Sequence, residues 1–230
     1  MDDSIKPEIN IRYRDAHLLV AYKPYGVLSE SDDKKPNMPA LLREENCRRD
    51  IYTVHRLDRT TQGLMVYTLT AEAAKRLSAA VQRGEVEKIY LAVTEGVPET
   101  PIGELSDLLY FDRKKNKSYV VKRERKGVKE ARLYYETLET IQHDDKTLSL
   151  LKIRLLTGRT HQIRVQFASR KMPLVGDRRY GSTVESDNIL LCSSQLCFTH
   201  PFSGEELCFS YLPDNGMFSS FDVQKLTSSK

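Results

Sequence analysis

The alternation of hydrophobic and polar residues predicts a chain made mostly of short strands, with two helices. Along Lys88–Glu95 the apolar side chains fall on every second residue, which is typical of a strand. Ala71–Arg83 instead has helical spacing, with Thr70 as its N-cap and Gly84 as its stop. Thr160–Ser169 is the second predicted helix. The other predicted strands are Ile9–Tyr13, Leu18–Tyr22, Leu64–Leu69, Tyr119–Lys122, Ala131–Leu138, Leu148–Leu155, Leu190–Leu191, Leu196–Thr199 and Leu207–Ser210.

Mostly neighbouring strands with few helices predict an α+β domain or a mixed sheet. Tyr119–Lys122 and Ala131–Leu138 are expected to form a hairpin around the Lys-Gly turn between them. Residues 30–39 are predicted to be a polar loop. We expect a single domain over residues 9–226, with flexible ends at residues 1–8 and 227–230.

Composition narrows the class of protein. The chain has 230 residues, of which 40% are hydrophobic and 30% are charged, and this suits a soluble globular domain. No apolar run approaches the ~18 residues of a membrane span. The acidic N-terminus has no apolar stretch behind it, so a secretory signal is not expected. Membrane, secreted-scaffold, collagen-like and disordered classes are therefore excluded, and we expect a cytoplasmic protein.

The four cysteines do not form a recognisable metal or redox motif. Cys47, Cys192, Cys197 and Cys208 contain no C-x-x-C pair, and the five scattered histidines do not complete a zinc-ligand spacing. We therefore expect reduced, buried thiols in a reducing compartment, and no metal site.

Positive charge is concentrated in one stretch of the chain. The whole chain carries +4, whereas Asp112–Glu130 alone has nine bases and three acids, a net +6. Seven of these bases are candidate RNA contacts: Lys114, Lys115, Lys117, Lys122, Arg123, Arg125 and Lys126. The block suits a polyanion such as a phosphate backbone, but a solvated basic hairpin without a partner has the same composition. Charge alone leaves both interpretations open.

The first candidate for chemistry is the polar segment Val54–Leu64, which lies just before a predicted core strand. Loops that feed a strand commonly display reactive side chains. The one acid of the segment, Asp58, is flanked by Arg56 and Arg59, which would keep the carboxylate ionised, as a nucleophile or an anionic stabiliser requires. A structural aspartate that accepts hydrogen bonds within the loop is the alternative.

The second candidate segment is Leu156–Arg164, which follows a predicted strand and opens a predicted helix. Backbone N–H groups gather at such a position and favour an anion. On the helix, Arg164 could reach inward and pair with a buried carboxylate. The alternative is the start of a surface helix with ordinary arginines.

The third candidate is Tyr90, which lies on the opposite face of its predicted strand from the apolar set. A tyrosine in that position could stack on a base or deliver its phenol to a proton. An amphipathic tyrosine at the surface of a sheet has the same spacing.

Taken in order, these segments resemble the RluA-type family of RNA pseudouridine synthases over nearly the whole chain. The matching blocks are Lys23-Pro24-x-Gly26, His55-Arg56-Leu57-Asp58, Lys88-x-Tyr90, Thr157-Gly158-Arg159-x-His161-Gln162-x-Arg164, Gly176-Asp177-x-x-Tyr180-Gly181 and His200-Pro201. The family usually has T-S-G-L after the aspartate, where this chain has Thr61-Gln62-Gly63-Leu64. The resemblance implies an α+β fold with a mixed, mainly antiparallel central sheet flanked by helices and loops, in the short form without an N-terminal S4 domain.

The resemblance also implies an isomerase that needs no cofactor or metal. The reaction breaks the N1–C1′ bond of a uridine in RNA, turns the base and rejoins it through C5. Asp58 matches the essential aspartate, which either attacks C1′ or abstracts the C2′ proton. Tyr90 matches the tyrosine that packs on the target base, and Arg164 matches the arginine that pairs with the aspartate. Arg56 matches a residue that replaces the flipped nucleotide, and the other implied RNA contacts outside the basic block are His55, Arg59, Arg159 and His161.

The identity of the RNA and two other classes of protein stay open at this point. Short members of the family act on large-subunit ribosomal RNA, on tRNA or on both, and we expect structured ribosomal RNA, with no membrane and no obligate protein partner. An RNA-binding protein without catalysis would share the basic block but has no need of Asp58, Tyr90 and Arg164 together. A phosphotransferase is suggested by the likeness of His55–Asp58 to a kinase catalytic loop, but D-F-G and a glycine-rich nucleotide loop are missing.

Overall fold

The computed structural model describes residues 9–46, 50–214 and 216–222, so the predicted flexible ends lie outside the described residues. Its first elements are β1 (Ile11–Arg14), β2 (Leu18–Lys23), α1 (Met38–Asn46), β3 (Tyr52–Thr53), β4 (Gln62–Thr68) and α2 (Ala71–Arg83). The later elements are β5 (Glu87–Glu95), β6 (Ile102–Asp112), β7 (Lys117–Val121), β8 (Val128–His143), β9 (Lys146–Leu155), α3 (Gln162–Ala168), β10 (Leu191–Thr199) and β11 (Glu206–Ser210). Short 3₁₀ helices lie at Arg178–Tyr180 and Gly216–Ser220. Within the described ranges, each helix is too short or too polar to cross a membrane.

The chain divides into two compact units, and the boundary passes through β10 between Gln195 and Leu196. The first unit holds the described residues up to Val86 together with Leu196–Ser210. In it, β2 pairs antiparallel with both β1 and β4, and β3 pairs antiparallel with β4. The second unit has the strand order β10-β5-β9-β8-β6-β7, with antiparallel pairing from β5 through β7. The prediction of an α+β fold with a mainly antiparallel sheet is confirmed.

Helix α2 has the bounds that the sequence predicts, Ala71–Arg83. The Thr70 hydroxyl accepts the Ala73 N–H at 3.2 Å, and Gly84 adopts φ 77°, which ends the helix in the left-handed conformation. Ala73 and Leu77 are buried. Local capping signals and one apolar face therefore specified this element completely.

The predicted hairpin of Tyr119–Lys122 with Ala131–Leu138 is wrong. Strands β7 and β8 do not pair with each other, because each pairs with one edge of β6. The sequence pattern missed β6, because its apolar residues do not alternate with polar ones. Leu105 and Leu109 are its buried side chains, and the strand is held by backbone pairing on both sides.

The predicted polar loop at residues 30–39 ends earlier than expected, because α1 begins at Met38. The Asn37 side chain accepts the Ala40 N–H at 3.0 Å and caps the helix, while Met38 and Leu42 are buried one turn apart.

Two further boundaries differ from the sequence prediction. The helix predicted at Thr160–Ser169 is shorter, since His161 adopts φ 54° and α3 begins after it. Leu190–Leu191 and Leu196–Thr199 are not separate strands, because β10 runs without a break over Leu191–Thr199 and Leu190 lies just before it.

The expectation of reduced, buried cysteines is wrong for Cys197 and Cys208, which form a disulfide. The turn Pro201–Gly204 folds β11 back on β10 and brings the two Cα atoms to 4.2 Å. Cys208 is also exposed. Cys192 is a free, buried thiol whose pKa is raised by burial, and Cys47 lies outside the described residues.

Candidate active site

Asp58 is held in the first unit by a loop whose backbone is anchored on both sides. The carboxylate-bearing residue is half-buried and lies four residues before β4. On its N-terminal side, the buried Ser29 hydroxyl donates to the Leu57 carbonyl at 2.8 Å and accepts the Leu57 N–H at 3.0 Å. On the other side, the Asp58 carbonyl accepts the Thr61 N–H at 2.9 Å. The carboxylate is therefore displayed from a loop with little freedom to move.

A buried cation lies beside this loop. Lys23 is 0% exposed, and its Nζ donates to the carbonyls of Val27 at 2.7 Å, Pro24 at 3.0 Å and Arg59 at 3.4 Å. Burial lowers the pKa of Lys23 to about 7, while the Asp58 carboxylate raises this pKa and the Arg59 guanidinium lowers it. The Asp58 carboxylate thus partly offsets the effect of burial on the Lys23 ammonium. Sequence reasoning quoted Lys23 as part of a motif but gave it no role, because its burial is a property of the folded loop.

The other polar residues of this segment have different environments. His55 is buried, and its Nε2 accepts the Val66 N–H at 3.1 Å, so the ring supports the C-terminal half of β4. Arg56 and Arg59 are exposed, and Arg56 forms an ion pair with Glu30 at 3.1 Å. The two arginines are thus available to a ligand at the surface, whereas RNA contact by His55 stays a prediction.

Tyr90 is buried in β5 of the second unit, with 5% of its surface exposed. Its Cα partner on β9 is Ile153, and its strand neighbours Ile89 and Leu91 are buried as well. Both faces of β5 are therefore covered, which rules out a tyrosine at an open sheet surface. A role of Tyr90 in the chemistry stays a prediction.

Arg164 on α3 is buried and paired with a buried carboxylate, Asp177. Their side chains are 4% and 1% exposed, and the pair is bidentate: Nε to Oδ2 is 2.6 Å and Nη2 to Oδ1 is 3.0 Å. The alternative of an ordinary surface arginine is thus wrong. The predicted pairing of Arg164 with Asp58 joins the two units and stays a prediction. Sequence reasoning quoted Asp177 as part of a motif but gave it no role, although a buried arginine requires an acid nearby.

The Tyr180 ring packs against the guanidinium of this arginine. The Arg164 guanidinium carbon lies 5.1 Å from the centroid of the Tyr180 ring, and the Tyr180 hydroxyl accepts the Ser118 N–H at 2.8 Å. The same hydroxyl is 3.0 Å from Nδ1 of His161, which is buried. His161 therefore supports the segment around Arg164, and direct RNA contact by His161 stays a prediction.

The loop before α3 is fixed by one glutamine side chain. Oε1 of Gln162 accepts the Thr157 hydroxyl at 2.8 Å and the Arg159 N–H at 3.0 Å, while Nε2 donates to the Arg132 carbonyl at 3.0 Å. Arg159 is half-buried and donates from Nε to the Glu130 carbonyl at 2.9 Å. The predicted anion-binding loop is thus rigid, with Arg159 tied to the first residues of β8.

The basic block is divided by the fold into two groups at opposite ends of β7. At one end, the turn at residues 113–116 is exposed and is held to the 3₁₀ helix Arg178–Tyr180. Arg179 donates from Nη1 to the carbonyls of Lys115 and Asn116, at 3.1 and 2.9 Å, and Lys117 donates to the Arg179 carbonyl at 2.8 Å. Lys114, Lys115, Arg178 and Arg179 form what we call the turn cluster.

At the other end of β7, the exposed loop at residues 122–127 carries Lys122, Arg123, Arg125 and Lys126. The Arg125 guanidinium carbon lies 4.6 Å from the centroid of the Tyr110 ring, which orients at least one of these cations. Since β7 has five residues, roughly 17 Å separates the two groups. The block is therefore two surfaces rather than one.

Across the described ranges, no three histidine, cysteine or carboxylate side chains are grouped in a way that could hold a metal ion. Among the candidate residues, the first unit has the half-buried carboxylate of Asp58, and the second unit has the buried phenol of Tyr90 and the buried, oriented guanidinium of Arg164. Both units also have exposed cations. Such groups suit proton transfer and nucleophilic chemistry on a polyanionic substrate.

Comparison with known proteins identifies the class to which this fold and these residues belong. Residues 17–169 match the model of the RNA pseudouridylate synthase family. Human RNA pseudouridylate synthase domain containing 1 and domain containing 4 have the same fold, with TM-scores of 0.78 and 0.74 at 21% identity. The first alignment covers 100% of this chain and 98% of the human chain, and the second covers 95% and 93%.

Sequence relatives agree with that class. An uncharacterized RNA pseudouridine synthase of Aquifex aeolicus is 33% identical, covering 89% of this chain and 70% of the relative. The tRNA pseudouridine synthase C of Vibrio parahaemolyticus is 29% identical (87% and 88% covered), and the dual-specificity RNA pseudouridine synthase RluA of Escherichia coli is 30% identical (89% and 93% covered). The chain belongs to the RluA-type family of RNA pseudouridylate synthases. It is an RNA pseudouridine synthase, an isomerase whose substrate is RNA.

Proposed function

We propose that this synthase isomerises specific uridines in structured RNA, with large-subunit ribosomal RNA as its substrate and Asp58 as its essential carboxylate. The observation that carries the proposal is the fixed display of a half-buried Asp58 from a loop anchored by Ser29 and Thr61, beside the buried Lys23 that donates to the Arg59 carbonyl. A second candidate substrate, tRNA, is favoured by the names of two relatives, which are a tRNA synthase and a dual-specificity synthase.

The chemistry is an isomerisation in which atoms and electrons balance within the uridine. The N1–C1′ bond breaks, a C5–C1′ bond forms, C5 loses its proton and N1 gains one. We infer that Asp58 acts at the sugar, either by attack on C1′ or by removal of the C2′ proton, and both steps require an ionised carboxylate. Tyr90 packs on the uracil and assists removal of the C5 proton. Arg164 pairs with Asp58 and keeps the carboxylate charged and aimed.

A uridine in folded RNA must leave its stack before C1′ and C5 can be reached, at a cost of a few kcal/mol. Stacking on an aromatic ring and contacts from cations to phosphates offset this cost. Arg56 is exposed and carried by the Asp58 loop, so it suits the position that the flipped nucleotide vacates. Arg59 and the turn cluster are exposed cations available to the backbone phosphates.

Tritium release from RNA labelled at C5 of uridine tests the role of Asp58. Asp58→Asn is expected to remove turnover while the thermal melt stays close to that of the wild type, because the residue is half-buried and its backbone contacts remain. Asp50→Asn, an exposed aspartate of the same unit, is the matched control and should keep full activity. Tritium release by Asp58→Asn would refute the mechanism, and a wild-type protein that binds RNA but releases none would make it a binding protein.

The salt dependence of RNA binding tests the turn cluster. Lys114→Gln combined with Lys115→Gln is expected to weaken binding and to lower the slope of log affinity against log salt by roughly 0.7–0.9 for each lost phosphate contact. The control is the same pair of changes at Lys34 and Lys35, two exposed lysines of the first unit. An unchanged slope in the Lys114 and Lys115 variant would show that these two lysines do not contact RNA phosphates.

The substrate is settled by mapping pseudouridines in ribosomal RNA and tRNA from cells with and without the protein. Our proposal predicts the loss of at least one pseudouridine from large-subunit ribosomal RNA. Loss confined to tRNA would support the second candidate instead.

A further inference from the structure

We propose that Asp177 is the positioning residue for Arg164, and that Glu95 fixes the segment that carries Asp177. The inference rests on the proposed function, in which Arg164 acts on the catalytic carboxylate, and it extends that function to two acids of the second unit.

The buried ion pair of Arg164 and Asp177 has a geometry that orients the arginine. Asp177 engages Nε and Nη2 of Arg164, at 2.6 and 3.0 Å, in a bidentate arrangement. Because the guanidinium is planar, these two contacts set the direction in which its other N–H groups point. Both side chains are almost completely buried, so solvent does not compete for the pair.

The backbone of Asp177 is itself held in a fixed turn. Its carbonyl accepts the N–H groups of Tyr180 at 3.0 Å and Ser182 at 3.1 Å, which makes a tight turn after the carboxylate. Gly176 precedes it with φ 79°, and a side chain there would place Cβ 2.3 Å from the Asn188 carbonyl oxygen. The turn is therefore held by backbone hydrogen bonds after Asp177 and has no space for a side chain at Gly176 before it.

Glu95 on β5 binds the residues that follow this turn. Oε1 of the buried Glu95 accepts the Ser182 hydroxyl at 2.6 Å and the N–H groups of Thr183 and Val184 at 2.7 and 3.0 Å. Oε2 accepts the Thr183 hydroxyl at 3.0 Å and the Lys146 ammonium at 2.7 Å. Ser182 in turn accepts the Gly176 N–H at 3.0 Å. Five donors therefore converge on one carboxylate.

Glu95 connects this turn to the strand that carries Tyr90. Glu95 ends β5, the strand that also carries Tyr90. Through Ser182 and the turn, Glu95 links this strand to Asp177, and Asp177 links it to Arg164. The proposed phenol and the proposed guanidinium are therefore placed by one hydrogen-bonded frame inside the second unit.

The test is the single-turnover rate of tritium release, measured together with the dissociation constant for the RNA and with the thermal melt. Asp177→Asn is expected to lower the rate roughly 10- to 100-fold, because a displaced catalytic group costs that much, while the RNA dissociation constant stays within about 3-fold. The matched control is Asp107→Asn, which alters another bidentate aspartate–arginine pair of the unit, with Arg170, and should keep the wild-type rate. A wild-type rate in folded Asp177→Asn overturns the inference.

Chemical rescue separates positioning from a structural role. Arg164→Ala is expected to lose activity and to regain part of it with added ethylguanidinium, and the regain should disappear in the double variant Arg164→Ala/Asp177→Asn. Equal rescue in both proteins would show that Asp177 does not orient the cation. If either variant fails to fold, Ser182→Ala replaces it, and an unchanged single-turnover rate there likewise overturns the inference. Failure of the proposed function is distinct, since the wild-type protein itself would then release no tritium.

Discussion

The five-donor environment of Glu95 makes a quantitative prediction about stability. Burial raises the pKa of Glu95, but the Lys146 ammonium, the Ser182 hydroxyl and the N–H groups of Val184 and Thr183 together outweigh it and lower this pKa from 4.5 to about 2. A shift of this size corresponds to about 3 kcal/mol in favour of the folded state at neutral pH. Glu95→Gln removes the charge and is expected to lower the free energy of unfolding by about that amount at pH 7.

The sign of the pH dependence follows from the direction of the shift. Because the pKa is depressed on folding, the contribution is complete above pH 4.5 and is lost as the pH falls toward 2. The difference between wild type and Glu95→Gln should therefore shrink to about 1.4 kcal/mol at pH 3. The measurement is urea unfolding followed by circular dichroism between pH 7 and pH 3.

Glu72→Gln is the matched control, because Glu72 is an exposed glutamate paired with Arg76 on α2. We expect a far smaller change there, since water screens the pair. The reasoning is refuted if Glu95→Gln unfolds at the same urea concentration as the wild type at pH 7, or if the difference between them does not narrow toward pH 3.

Three further predictions concern other parts of the molecule. Ser29→Ala removes both hydrogen bonds to Leu57, so calorimetry should show a loss of about 1–3 kcal/mol and tritium release should slow; unchanged turnover would mean that the anchor does not position the Asp58 loop. Leu77→Ala opens a cavity beneath α2 and should cost about 2–5 kcal/mol in urea unfolding, and a cost near zero would contradict its burial. Alkylation and peptide mapping of the unfolded, unreduced protein should leave Cys197 and Cys208 unlabelled, whereas labelling of both would disprove the bond between them.

Local patterns in the sequence were sufficient for elements whose determinants lie within a few residues. Helix α2 was predicted to the residue because its cap, its stop and its apolar face are all local. The two loops of Asp58 and Arg164 were also found from the sequence, since reactive residue types are unusual next to core strands. Strand β6 was not found, because the apolar residues of Ile102–Asp112 do not fall on every second position and so give no strand periodicity.

What the sequence determined by itself is therefore the family and the fold class, while the residues that it selects for the chemistry stay predictions. Only the tertiary structure decided which partners those residues have. A buried arginine requires an acid, but the chain has 32 acids, and the fold selects Asp177, thirteen residues from Arg164. The burial of Lys23 and the bonding of Cys197 to Cys208 were decided in the same way. The physical reason is that burial, ion pairs and disulfides depend on which residues the folded chain brings into contact, and local periodicity does not carry that information.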